Sequence, residues 1–417
     1  MEQQARAASV RVLLLLLLAY IFNFLDRTIL SILGGPIIAE LKLSDWQFGV
    51  LSGPPFAILY SVLAIPFAFM ADRTSRSRVI AGAVAVWSVF TALCGAAASF
   101  WQLFVFRMGV GIGEAGGVAP SYALLADYFP PQRRARALAI FSLGIPLGLA
   151  AGTLIGAYLA AWINWRSAFL VMGVAGVLLA PVMFMFVRDP PRAASQPDGP
   201  TALWPVFTIL ARKPTFWLMA LAASCSSLAG YGLLAWIPTV LERSFGFKLI
   251  ERGQYLASLF LIGGTAGVFL GGWLADRLGQ ADRSWYARLP TIAWVITAPT
   301  FAIGLLAPDP RLAWPFLLIP NALNILWLGP VTTAVQHLVA RPMRSTASAS
   351  FLLINNLIGL GVGPTLIGAM SGLFTARFGS EALRYAAVSV VGFYLVAALL
   401  MLFAIKRLRT DWVDDQG

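Results

Sequence analysis

A single histidine, His337, and two cysteines, Cys94 and Cys225, are all that a chain of 417 residues offers to metal or redox chemistry. One imidazole cannot build a multi-histidine metal site. Two widely separated thiols, each in an apolar stretch, form neither a disulfide framework nor a zinc motif. Charge is equally scarce. Only 12% of the residues are charged and 59% are hydrophobic, whereas a soluble domain carries about 25% charged residues. That shortage makes lipid the expected solvent. The lysines Lys42, Lys213, Lys248 and Lys406 never follow a glycine, so the Gly-Lys-Ser/Thr step of a phosphate-binding loop is missing and no ATPase is expected in this chain. No histidine cluster and no serine–base pair stands out, so an enzyme is not expected either. No cofactor is implied beyond a proton as coupling ion. The absence of a large soluble domain argues against a signalling receptor.

What is present is apolar sequence in lengths that suit a bilayer. A helix needs about 20 largely apolar residues to span one. Twelve stretches qualify, near 12–34, 46–70, 79–99, 101–127, 136–162, 165–187, 215–239, 254–278, 287–307, 314–339, 346–374 and 383–406. The run Leu13–Leu18 after Arg11 has the look of a leader segment. No small-x-small cleavage site follows it, and the apolar sequence continues to Leu33, so it reads as an uncleaved first span. The net charge of +12 comes from arginines gathered in short loops, which suits membrane topology better than nucleic acid. With both termini in the cytoplasm, about 20 basic residues fall on the inner side and about 8 on the outer. A bacterial inner membrane with cytoplasmic termini is therefore the expected setting.

The sequence divides and repeats. The longest polar stretch, 188–213, contains Asp189-Pro190-Pro191-Arg192 and Gln196-Pro197-Asp198-Gly199-Pro200, which cannot continue a helix. It predicts an N-terminal six-helix bundle over 1–187, a cytoplasmic linker over 188–213 and a C-terminal six-helix bundle over 214–417. Met70-Ala71-Asp72-Arg73 after span two recurs as Leu274-Ala275-Asp276-Arg277 after span eight. Thr153-Leu154-Ile155-Gly156 recurs as Thr365-Leu366-Ile367-Gly368, and Lys42-Leu43 as Lys248-Leu249. The offset stays between about 204 and 212 residues. Parallel repeats of six spans are a transporter architecture, with the solute held near the midplane. Six-plus-six spans with paired Ala-Asp-Arg loops resemble the major facilitator superfamily along the whole chain. The first loop, Asp72-Arg73-Thr74-Ser75-Arg76-Ser77-Arg78, lacks the usual glycines, while the second, Gly271 to Gly279, keeps them. The resemblance implies an all-α membrane protein with twelve transmembrane helices in two pseudo-symmetric bundles.

Charges inside spans are the sharpest chemical signal. Asp26, Arg27, Arg107 and Glu114 interrupt apolar runs. Each costs about 2.5–3.5 kcal/mol at a helix centre, and four unpaired ones roughly 10–14 kcal/mol. They are expected to face one another or a wet cavity. Arg107 and Glu114, seven residues apart, share a helix face, and Asp26 lies at an intermediate depth. Burial disfavours a carboxylate's charged form and a nearby arginine favours it. Moving the arginine away lets the carboxylate take a proton. Asp26 and Glu114 are thus the expected proton carriers. Arg27 and Arg107, with Asn23, are the expected charge switch or solute contact. Pure ion pairing that locks the bundle is the alternative reading. The glycines of span five, at 144, 148, 152 and 156, form a small-residue face best read as helix packing.

The superfamily resemblance assigns Asp72, Arg73, Arg76, Asp127, Arg134, Arg136, Asp276 and Arg277 to a cytoplasmic gate. It assigns spans one, four, seven and ten to the cavity, which makes Ser227, Tyr231, Trp236, Asn321, Asn324 and Trp327 candidate lining. A wall of charge opposite an apolar-aromatic wall suits an amphiphile with an acidic head. Arg107-Met-Gly-Val-Gly-Ile-Gly-Glu114-Ala, Ala119-Pro120 and Ala126-Asp127-Tyr-Phe129, together with Asn23-Phe-Leu-Asp26-Arg27, resemble the spinster family. That resemblance implies proton-coupled secondary transport of a lysophospholipid- or sphingosine-phosphate-like solute. The alternatives are a proton-coupled organic-anion importer and a multidrug exporter. Substrate and membrane lipid are the expected partners, and a monomer suffices.

Overall fold

In lipid every backbone donor and acceptor must be satisfied within the protein, which leaves helices or closed barrels. The computed structural model of the chain describes residues 2–190 and 203–413, and it contains helices and no strand among them. Twelve spans run in order. Spans one, three, six and nine are single helices, Glu2–Ile32, Arg76–Gly95, Trp165–Phe186 and Trp285–Leu306. So are spans seven, eleven and twelve, Pro214–Phe245, Arg344–Phe378 and Ala382–Asp411. The others are interrupted. Span two breaks at Gly53, span five at Leu143, and span four between Ala115 and Val118. Span ten breaks between Leu323 and Leu328, and span eight carries a π turn over Phe260–Gly264. Among the described residues ten stretches are long and apolar enough to cross a membrane by helix length and composition, two fewer than the spans. Span four falls into pieces of 16 and 11 residues, and spans eleven and twelve count as one stretch, Arg344–Leu408.

Contacts divide the chain into two compact units, Met1–Ala193 with Leu234–Leu261, and Ala194–Leu233 with Ile262–Gly417. The C-terminal third of span seven and the first turns of span eight therefore pack with spans one to six. Of the expected linker, residues 191–202 lie outside the described residues, and Leu203–Ala211 forms a short helix whose Val206 and Leu210 are buried.

In the first unit the packing depends on absent side chains. The small-residue face of span five lies on span one. A Cβ at Gly148 would stand 2.5 Å from the carbonyl oxygen of Ile21. On span four a Cβ at Gly113 would stand 2.4 Å from the Trp87 nitrogen. Such approaches place backbones in contact, as membrane helices require where no hydrophobic force draws them together. In the second unit, spans nine and twelve pair around buried Trp294, Phe301 and Tyr394, with Phe301 and Tyr394 stacked at 6.2 Å.

Gly148→Val is expected to destabilise the protein by about 1–3 kcal/mol through overpacking. Gly82→Ala, where nothing lies within 4 Å, should leave the melting temperature in detergent unchanged or slightly raised, since alanine favours helix.

Candidate functional site

The four intramembrane charges lie in the first unit, all of them on spans one and four. Side chains one residue apart on a helix diverge by about 100°, and Asp26 and Arg27 accordingly take different partners. Arg27 turns to span four and forms a two-point contact with Glu114, Nε to Oε2 at 2.9 Å and Nη2 to Oε2 at 2.8 Å. The Glu114 side chain is fully buried and that of Arg27 is 9% exposed. Asp26 turns to span three, where Thr91 Oγ1 donates to its Oδ2 at 3.0 Å. Arg107 is buried, and among the described residues neither it nor Asp26 enters a direct ion pair.

Aromatic rings flank both arginines. The Arg27 guanidinium lies 5.0 Å from the Phe24 ring, 5.0 Å from Phe56 and 4.7 Å from Tyr60. Arg107 lies 5.1 Å from the same Phe56 ring. Phe56, on span two, thus serves two cations at once. Cation–π contacts of this kind are worth about 2 kcal/mol or more when desolvated.

The site also holds unspent hydrogen-bonding capacity. Among the described residues, Nε1 of Trp87 and Nε of Arg107 are buried without a hydrogen-bond partner, and Asn23 lies within reach of the Glu114 carboxylate without a well-aligned hydrogen bond. Buried polar groups are ordinarily satisfied, so these atoms hold hydrogen-bonding capacity that the surrounding side chains do not use. The helix break adds to this. Gly116 N donates to Gly113 O and Gly117 N to Glu114 O, tightening the turn just past the acid. Glu114 therefore stands in the last turn before a discontinuity, where the helix can change direction.

The candidate gate residues on the first unit are drawn together in part. Arg76 binds Asp72 at 2.7 Å and also reaches Asp127. Ser77 N donates to Asp189 Oδ1 at 3.0 Å, and Tyr128 OH to Arg188 O at 2.6 Å, so the ends of spans three, four and six meet here. Arg134 Nη2 donates to Ala126 O at 2.8 Å, Arg73 covers the Phe69 ring, and Arg136 is exposed. In the second unit Arg277 covers Trp273, and the Asp276 side chain lies outside the described residues.

The candidate lining of the C-terminal spans is mostly tied into packing. Ser227 Oγ donates to Asn355 Oδ1 at 2.9 Å, and Tyr394 OH to Asn324 Oδ1 at 3.0 Å. Asn321 Nδ2 donates to Leu317 O at 2.8 Å. Trp236 is fully buried with its ring edge-on to Phe48, and Trp327 is 6% exposed beside Phe351. Tyr231 is half-buried. His337 is settled too, with Nδ1 3.0 Å from Thr333 O and its ring stacked on Trp412. Sequence reasoning missed Thr91, Phe56 and Tyr60. The signal for Thr91 is a polar group in the middle of span three. A lone aromatic in an apolar run carries none.

A charged core on spans one and four of a twelve-span helical chain is now in view. The family model described as Major Facilitator Superfamily matches residues 16–364. The chain belongs to the Major Facilitator Superfamily. It is 36% identical over 398 residues to an "MFS-type efflux pump" of Mycolicibacterium smegmatis, covering 94% of this chain and 92% of that one. It is 28% identical over 389 residues to the human "Protein spinster homolog 1", covering 86% and 72%. Among solved structures it is similar to a bacterial homologue of the human lysosomal transporter spinster in an inward-facing, unoccupied conformation. That likeness has a TM-score of 0.86 and 32% identity, over 98% of this chain and 99% of that one. This superfamily member is thus an integral, multi-pass membrane transporter related to spinster, and not an enzyme.

Removing one member of a buried ion pair strands the other charge, at a cost of about 3–5 kcal/mol. Arg27→Gln alone is therefore expected to lower the melting temperature more than the double variant Arg27→Gln with Glu114→Gln. Equal losses in the two would show that Glu114 does not depend on Arg27.

Proposed function

We propose that this transporter is proton-coupled and moves a lipid-like amphiphile with an acidic head, of lysophospholipid or sphingosine-phosphate type, by alternating access. The observation that carries the reading is the buried Arg27–Glu114 pair beside Asp26 and Arg107, with orphaned polar atoms around it. An anionic head that draws Arg27 or Arg107 toward itself would leave Glu114 or Asp26 to accept a proton. Proton and solute are then exchanged at one set of groups. The aromatic side chains of Phe24, Phe56 and Tyr60 suit an apolar tail beside that head. One proton moving through about 100 mV supplies about 2.3 kcal/mol, and a pH unit adds about 1.4 kcal/mol. Together they sustain a several-hundredfold gradient of an uncharged solute moved one for one. The distribution of basic residues among the loops supports cytoplasmic termini in a bacterial inner membrane. One chain carries all the groups invoked, so a monomer suffices.

A second reading, transport of a small organic anion, is favoured by the two cations at the site and by one relative. The chain is 29% identical over 282 residues to a "Probable L-galactonate transporter" of Escherichia coli, covering 64% of this chain and 61% of that one.

Proteoliposomes separate the two. Uptake of labelled lysophospholipid is expected to follow an imposed pH gradient and to be abolished in Glu114→Gln and Asp26→Asn. Undiminished gradient-driven uptake in both variants would remove these carboxyls from coupling. Movement of labelled hexonate without movement of lipid would establish the second reading.

A further inference from the structure

A groove of about 900 Å³ lies in the second unit, and none of its lining residues belongs to the charged site. Its walls are the start of span seven, beginning at Pro214, and the end of span twelve, finishing at Asp411. One helix enters and the other leaves here, so both walls meet the same face of the membrane. Arg212, Lys406 and Arg407 stand at the mouth. Lys406 and Arg407 are exposed, as is Arg212, and none of the three forms an ion pair among the described residues. Deeper in, the lining turns apolar, with Trp217 and Leu221 on span seven and Leu399, Leu402 and Phe403 on span twelve.

The gradient runs the same way on both walls. From Arg407 to Leu399, and from Pro214 to Leu221, each helix descends about 10–12 Å. Cations at the surface therefore give way to apolar side chains within the depth of one headgroup and the first part of an acyl chain. The walls are also held in place. Trp217 Nε1 donates to Ala211 O at 3.0 Å, and the Trp217 ring meets Phe207 of the short helix edge-on at 6.3 Å. Asp411, the acid at this corner, accepts from Thr215 Oγ1 at 2.5 Å, and Lys213 Nζ donates to Leu338 O at 2.7 Å. Asp411 and Lys213 are thus engaged, while among the described residues no acid pairs with Arg212, Lys406 or Arg407.

We infer that this groove is a binding site for an anionic membrane phospholipid, with its phosphate among Arg212, Lys406 and Arg407 and an acyl chain along Trp217, Leu399 and Phe403. Charge selects the occupant. A zwitterionic lipid offers the same tails and no net attraction, whereas an anionic headgroup gains roughly fivefold in binding per basic residue near the surface. The site is separate from the solute pathway proposed above and stands whether or not that reading holds.

The test is a thermal melt of the purified full-length protein in non-ionic detergent, titrated with phosphatidylglycerol or phosphatidylcholine. Phosphatidylglycerol is expected to raise the melting temperature by several degrees, and phosphatidylcholine at the same mole fraction is not. In Arg212→Gln/Lys406→Gln/Arg407→Gln the half-saturating phosphatidylglycerol should rise by about tenfold or more. Leu402→Trp keeps every charge but fills the apolar wall, and it too should weaken the response. Equal shifts by the two lipids would overturn the inference. So would a full phosphatidylglycerol response in either variant, or inorganic phosphate reproducing the whole shift.

Discussion

A guanidinium and a carboxylate buried in an apolar bundle must be solvated by the side chains around them, above all by each other. Arg27 and Glu114 show how strongly that constrains the first unit. Span one must approach span four closely enough for a contact of 2.8 Å. Span two must bring Phe56 and Tyr60 against the cation, and span three must offer Thr91 to the neighbouring acid. Backbones this close leave no room for Cβ atoms at Gly113 or Gly148. The glycines and the charges are therefore parts of one requirement. Helices must come near enough for short polar side chains to meet, and only small residues at the crossings permit it.

Much of this was legible in the sequence because membranes tolerate few signals. Twelve apolar stretches have one physical reading, and a charge within them has almost no bland one. Asp26, Arg27, Arg107 and Glu114 were therefore found by position alone. Their pairing was not. Depth along a helix follows from residue number, but rotation about its axis does not, and it is rotation that gives Glu114 to Arg27 and Asp26 to Thr91. The aromatic side chains of Phe56 and Tyr60 were illegible for a different reason. A phenylalanine that covers two cations and one that merely fills a core look alike in an apolar run. Trp236 and Trp327 make the same point from the other side, since an indole that lines a cavity and one set edge-on to Phe48 or Phe351 look alike in an apolar run.

The repeat in the sequence has a counterpart in how the helices fail. Spans four and ten occupy equivalent places in the two halves, and both break. Span four does so at Gly116-Gly117, past Glu114. Span ten does so at Asn324, whose side chain accepts from Tyr394 rather than from an arginine. One break presents an acid and the other an amide. The break is common to both repeats, and the side chain presented beside it is not.

The π turn in span eight has a consequence for which side of that span meets which neighbours. Before it, Gly253 lies against Thr153 and Ala157 of span five; after it, Gly267 lies against Ala322 of span ten. In an uninterrupted helix, fourteen residues bring two positions back to within about 40° of one azimuth. The additional residue absorbed by a π turn displaces the later one by about 100°. The π turn therefore takes the two glycines off one shared helix face. A helix in constant phase would have kept both glycines on nearly the same face.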